Sequence, residues 1–502
     1  MTSNKRLPPG GNGEGLQRTR RECPAFITFL AVACTFFAGL GDWKVLNNAY
    51  GGLPKAIALG AIVCAFLSFL VAADFENLKK AMGYFPMFLL LIAVYSLISM
   101  FIWVTDLSKA ASISRAGQKI LYQTITIIYA VFMCYLFEDR AVNYLFSGMC
   151  ATNTAIILLE MPKYGIRESI SSVVTCLVTF GQAEGFVRAL EIHDITFLFG
   201  QFFIYYMMFA PKSSPSEKRM RRWGVILSLF FIVLGLKRST LPAILLVCLY
   251  VKLLRVFKNP RKLVMATGIG LFLFFYLYLY LTRSGLLLAF LESLGVDTMG
   301  RDVLWRLPND YYELSPFWKG LGFEAVTDLV NTWHREGLIN RAYPLHNDIL
   351  KIFIELGALG FTLWAGINYI LYPSYWMTRH STETGMLYMA ILCYMSVTYL
   401  TDNTAFYFWS CIGLRLIPMS FSYRICKPGR KKQWTAPTPQ ESANEIWLIK
   451  MGGDARNAEQ TEETAGLSEK CVSSCRALAR CRGAETNEQG LPSPLAGDGT
   501  GL

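Results

Sequence analysis

The chain has 502 residues, 53% hydrophobic and 17% charged, yet it carries a formal charge of +12. Soluble domains are about 25% charged, and here the apolar excess is gathered into long uninterrupted blocks. That excludes a soluble globular enzyme and a disordered, basic nucleic-acid binder, leaving an all-α integral membrane protein.

A helix needs about 20 mostly apolar residues to cross a bilayer, because unpaired backbone groups are costly in hydrocarbon. Residues 1–23 form a basic arm with Lys5, Arg6, Arg18, Arg20 and Arg21. Nine candidate spans follow within 24–282, near 24–41, 53–72, 84–105, 119–137, 142–160, 192–210, 222–237, 240–256 and 263–282. Lys237, Arg238 and Ser239 separate the two shortest. Two charges in mid-bilayer would cost several kcal/mol, so a tight surface turn is the better reading. Segment 169–181 is apolar but too short to span, and reads as re-entrant or interfacial. A long loop, 283–347, precedes three more candidates within 348–423, near 348–372, 384–401 and 404–423.

Residues 424–502 open with a basic run from Arg424 to Lys432 and continue rich in Gly, Glu, Ser, Thr and Ala, without apolar periodicity. They are expected to be disordered. Cys471, Cys475 and Cys481 lie there without a fourth ligand or a nearby histidine, which favours reduced thiols over a metal site. Basic clusters at 79–80, 212–222, 255–262 and 424–432 alternate with poorer connections. With twelve spans every cluster falls on one side, so both termini are predicted cytoplasmic and the 283–347 loop external. No cleavable signal is expected before the first span. The loop has six basic and eight acidic residues, so the excess positive charge reports orientation rather than a broad anion-binding surface.

No Walker loop, GxGxxG, HExxH or GxSxG pattern occurs, so chemistry must use polar groups held at helix ends. The long loop closes on Pro344, Leu345, His346, Asn347 and Asp348, followed by an apolar helix. Pro344 blocks helix continuation backwards, Asn347 or Asp348 can cap the first turn, and His346 then sits at the helix mouth. Lys351 and Glu355, four apart, can neutralise each other. Gly357 and Gly360 permit close approach of a neighbour.

Each candidate also has an ordinary structural reading. His346 can pack or cap, with His334 as its rival; Arg238 can snorkel to the interface; Arg301 can pair with Asp302 or Asp297. Trp305, Trp318 and Trp333 can stack on a ligand, anchor at the interface or fill a loop core, and Asp402 with Asn403 can form a plain turn or hold a ligand by hydrogen bonds.

The string LHNDILKIFIELGALGF, residues 345–361, resembles the signature that closes the large external loop in the O-antigen polymerase and O-antigen ligase superfamily. Gly300, Arg301, Asp302 and Trp305 resemble the motif that opens that loop, and Gly320, Leu321 and Gly322 its Gly-x-Gly step. Lys237 and Arg238 occupy its serine–arginine turn, with lysine replacing the serine.

The resemblance implies a fold of about twelve transmembrane helices with a partly helical external loop between spans nine and ten. It implies metal-independent, inverting glycosyl transfer from a polyprenyl-pyrophosphate-linked glycan, at the outer face of a bacterial plasma membrane. His346, Arg238 and Arg301 become the catalytic candidates, and Lys237, Trp305, Asn347 and Asp402 the substrate-binding ones. No cofactor and no nucleic acid are implied. The partners are the lipid-linked glycan, membrane lipid, and chain-length regulator and flippase proteins. Polymerisation of repeat units into capsule, exopolysaccharide or O-antigen is the preferred reading. Ligation of finished glycan to lipid A core or another acceptor is the nearest alternative, and a transporter or flippase without chemistry is the second.

Overall fold

Helices form along the apolar runs, and short polar residues mark where several begin. Asp74, Ser214, Asn259, Asn347 and Ser381 each accept, through the side chain, the backbone N–H three residues on, satisfying a donor left over at the first turn. Ser214 and Glu217 complete a reciprocal capping box, with Pro215 at the first helical position.

The computed structural model describes residues 23–43, 46, 52–179, 185–190, 193–235, 237, 239–295 and 300–425. No strand occurs among them. The basic N-terminal arm, Arg238 and the tail with its three cysteines lie outside the described residues.

Helices occupy the described residues of each apolar segment named above, apart from short turns. Among the described residues, five stretches are long and apolar enough to cross a membrane: Leu53–Val71, Phe75–Thr105, Leu107–Tyr164, Pro260–Arg283 and Asp348–Arg379. Ala25–Leu40 and Asp194–Phe209 are shorter apolar helices. The stretch Leu107–Tyr164 contains two of the predicted segments as separate helices, Ile113–Phe137 and Ala141–Tyr164, and the chain turns between them at Glu138 with φ 49°. Pro215–Leu234 and Thr240–Val256 are likewise two helices, so the Lys237 turn replaces a single long helix. Ile166–Thr179, at 14 residues, extends about 21 Å at 1.5 Å per residue, short of a hydrocarbon core of about 30 Å.

The outside of this multi-pass helical bundle is apolar. Phe29, Leu245, Leu249, Val256 and Leu273 are more than half exposed, as lipid-facing positions are. Polar groups turn inward. Arg415, midway along the helix Phe408–Ile425, is buried against Gln123 at 3.0 Å and Thr126.

The 283–347 segment is partly helical, with helices Leu286–Ser293, Arg301–Arg306 and Ala325–Arg335 joined by irregular chain. It lies over one end of the bundle. Phe323 stacks on Tyr95 at 4.8 Å, its N–H donates to Ser99 Oγ at 3.0 Å, and Arg115 pairs with Asp328.

Candidate functional site

The loop is fastened to the helix that follows it by main chain. Leu321 N–H donates to Ile354 O at 3.0 Å, Gly322 N–H to Glu355 O at 2.8 Å, and Ala358 N–H to Trp318 O at 2.9 Å. These bonds exist because the helix Asp348–Gly366 breaks at Gly357, whose φ of 70° and ψ of −176° belong to a region open only to glycine. A Cβ at Gly357 would stand 2.4 Å from Trp318 O, and one at Gly320 2.5 Å from Glu355 O. The Gly-x-Gly step and the glycine of the closing signature are two halves of one backbone contact.

That contact fixes the helix mouth just above it. Asn347 Oδ1 accepts Leu350 N–H at 3.0 Å, and its amide donates to Tyr278 OH at 2.9 Å, so the fully buried side chain is spent on position. Asp348 Oδ2 accepts Ala405 N–H at 2.7 Å, drawing the 400–407 turn against the same mouth. His346 holds φ at 52°; only Glu138 and Glu324 share a positive φ among the described non-glycine residues. Two of those three strained positions therefore border one site, where such strain tends to persist.

His346 Nδ1 lies 3.3 Å from Asp402 Oδ1. Asp402 also accepts Tyr407 OH at 2.7 Å and Asn403 N–H at 2.8 Å, and Lys237 Nζ stands 3.9 Å from its other oxygen. This donor set suits a carboxylate anion. An anion at Nδ1 favours the tautomer with hydrogen there, leaving the Nε2 lone pair to accept a proton. Asn403 Nδ2 is also 3.3 Å from His346 Nδ1; rotating its amide by half a turn presents the oxygen and serves the same tautomer.

Beside the histidine, Glu324 and Lys351 form a buried ion pair at 2.8 Å, with Glu355 3.7 Å from the same ammonium. Burial pushes the Glu324 carboxyl up, but Lys351 and Lys119 outweigh it and bring it down to about 2. Glu355 Oε1 accepts Val326 N–H at 3.2 Å, at the first turn of the helix Ala325–Arg335. A cavity of about 270 Å³ opens between this helix and the bundle, bordered by Lys119, Glu324, Lys351, Leu345, Asn403 and Tyr407 among others.

Residues 223–365 match the family model for the O-antigen ligase. This stretch is similar to the O-antigen ligase family. It is consistent with the O-antigen ligase and polymerase superfamily that the sequence resembles. No curated protein matches the chain.

The matched stretch contains His346, Lys237, Arg301, Trp305 and Asn347, whereas Asp402, Asn403, Tyr407 and Lys119 complete the site from outside it. Arg301 begins the helix Arg301–Arg306, and one turn later Trp305 Nε1–H donates to Leu345 O at 3.1 Å, tying that helix to the residue before His346. Trp305 is 5% exposed and Trp333 fully buried, so both fill the loop's interior; neither face is offered to a sugar. Lys237 faces Asp402 and Asn347 caps a helix, so each positions the site rather than lining it openly. His334 is exposed, with its ring against Ile339 O at the end of its own helix, and His380 packs between Tyr84 and Trp376; neither joins the site. The side chain of His193 lies outside the described residues.

Proposed function

We propose that the protein joins lipid-linked glycan units at the outer face of the membrane, by inverting transfer from a polyprenyl pyrophosphate. The observation that carries this reading is the His346–Asp402 pair, at 3.3 Å, at the helix mouth of the stretch similar to the O-antigen ligase family and beneath its loop. Twelve spans with both termini cytoplasmic bring that loop outward and fit the distribution of basic residues.

In the reaction, a hydroxyl of the acceptor glycan attacks the anomeric carbon of the donor. Nε2 of His346 takes the hydroxyl proton while Nδ1–H holds to Asp402. The new C–O bond forms as the bond from carbon to the pyrophosphate oxygen breaks. The pyrophosphate leaves with the electron pair, from the face opposite the attack, so the configuration inverts. Its growing charge calls for permanent cations, the role assigned to Arg238 and Arg301; arginine's planar fork suits phosphate oxygens.

Polymerisation of repeat units is the preferred form of the activity. Ligation of finished glycan to another acceptor is a second reading, favoured by the description of the matched family. The long connection at 283–347 falls late in the chain rather than between two equal halves, and no internal repeat is evident, which supports transfer over transport. Purified protein in liposomes, given a lipid-linked repeat unit without nucleotide or metal, should lengthen the glycan. His346→Ala and Arg301→Ala should each abolish lengthening while the protein remains folded and inserted. Full activity in both variants would falsify the mechanism.

A further inference from the structure

The cavity beside His346 contains a cation that the mechanism above does not use. Lys119 stands near the start of the helix Ile113–Phe137 and is half-buried, yet it makes no hydrogen bond or ion pair among the described residues. Its ammonium stands over the ring of Phe406, 5.8 Å from the centroid. The other charges facing it are already engaged. Glu324 accepts Lys351 at 2.8 Å and Thr327 at 2.7 Å; Glu355 accepts Val326 N–H at 3.2 Å; Asp348 accepts Ala405 N–H at 2.7 Å. A second buried cation follows on the same helix face. Gln123 and Thr126, four and seven residues beyond Lys119, are the partners of Arg415.

The remaining wall is of the kind that receives a sugar ring. Asn331 and Asn403 bring amides and Tyr343 a hydroxyl, while Tyr407, whose hydroxyl donates to Asp402, brings a ring. At about 270 Å³ the space is that of a small ligand, and it reaches Asn403, whose amide touches the His346 ring at 3.3 Å. An ammonium with no carboxylate within ion-pair distance among the described residues, beside amides and tyrosines in a cavity whose bordering acid, Glu324, is engaged by Lys351, is best complemented by a carboxylate on a sugar.

We infer that this cavity is a subsite for an acidic sugar of the acceptor glycan, with Lys119 binding the sugar's carboxylate and so setting specificity for a charged repeat unit. The inference rests on the reading that glycans are joined at His346, but it concerns binding and can be tested without turnover.

The test uses the full-length protein in detergent, with methyl β-glucuronide and methyl β-glucoside as probes and saturation-transfer NMR as readout. The glucuronide should bind and the glucoside should bind at least about tenfold more weakly, the factor expected from one charge-assisted hydrogen bond. Lys119→Gln should abolish that preference, and Lys119→Arg should largely retain it. Equal binding of the two sugars to the unaltered protein would overturn the inference, whether or not the variants fold. An unchanged preference in a folded Lys119→Gln protein would overturn it too. Inorganic phosphate displacing the glucuronide at equal concentration would refute the assignment to a sugar. If the preference is present but the reconstituted protein never lengthens glycan, the subsite stands and the proposed transfer activity fails.

Discussion

Replacing Asp402 by asparagine tests how the histidine is held. The substitution keeps the shape of the side chain but removes the anion 3.3 Å from Nδ1 of His346. At an effective dielectric of about 20, unit charges at that separation attract by about 5 kcal/mol. That is an upper bound on what the imidazolium formed during transfer gains. Lys237, 3.9 Å from the other carboxylate oxygen, already offsets part of it. Hydrogen bonds to charged groups contribute about 1.5–3 kcal/mol in practice, which corresponds to a loss of about 10- to 150-fold in rate. The loss should fall on kcat, with KM nearly unchanged, because the interaction strengthens only when the histidine takes the proton. The assay is glycan lengthening in liposomes under single-turnover conditions, with inserted protein quantified in parallel. A folded Asp402→Asn protein within about twofold of the unaltered rate, alongside an inactive His346→Ala, would show that Asp402 does not orient the base.

Three further outcomes are expected. Glu324→Gln leaves Lys351 with only Glu355, 3.7 Å away, and should cost about 3 kcal/mol, the lower end for breaking a buried pair; detergent-titrated unfolding measures it. Because Glu324 is held at about 2, below the ordinary value of 4.5, its stabilisation is complete above pH 4.5 and is lost as pH falls towards 2; thermal scans should decline over that interval and flatten in Glu324→Gln. Gly357→Ala forces a Cβ to 2.4 Å from Trp318 O at φ 70°; it should cost at least about 1–3 kcal/mol and expose the 283–347 loop to protease, and an unaltered cleavage pattern would count against the backbone fastening.

What the sequence disclosed depended on the range of the interaction. The apolar helices were legible because each is a local run whose apolar character needs no partner, and the helix start at Asn347 because a cap involves residues three apart. Lys351 and Glu355 were paired on spacing alone, but the closer carboxylate, Glu324, comes from 27 residues away and gave no local signal. Asp402 was seen as a turn residue with a competing role in holding sugar. Its approach to His346 across 56 residues depends on Asp348 capturing Ala405. Trp305 and Asn347 are substrate-binding candidates by resemblance; their bonds to Leu345 O and Tyr278 OH, on either side of His346, depend on distant residues and have no local signal. Arg415 passed unnoticed because its single charge is diluted in an apolar window; a charged residue inside such a run was the available signal.

The glycine contact between residues 320–322 and 357 also bears on how such a chain can diverge. Gly320 and Gly357 each press on main chain, and Gly322 lies against Trp103 Nε1, so no larger side chain fits without moving one of these partners. The cavity wall contributed by Lys119, Asn331 and Tyr343 carries no such constraint. Among descendants that take different ligands into this cavity, the glycines should stay fixed while these three positions change with the ligand, so the fastening and the selectivity evolve on separate clocks.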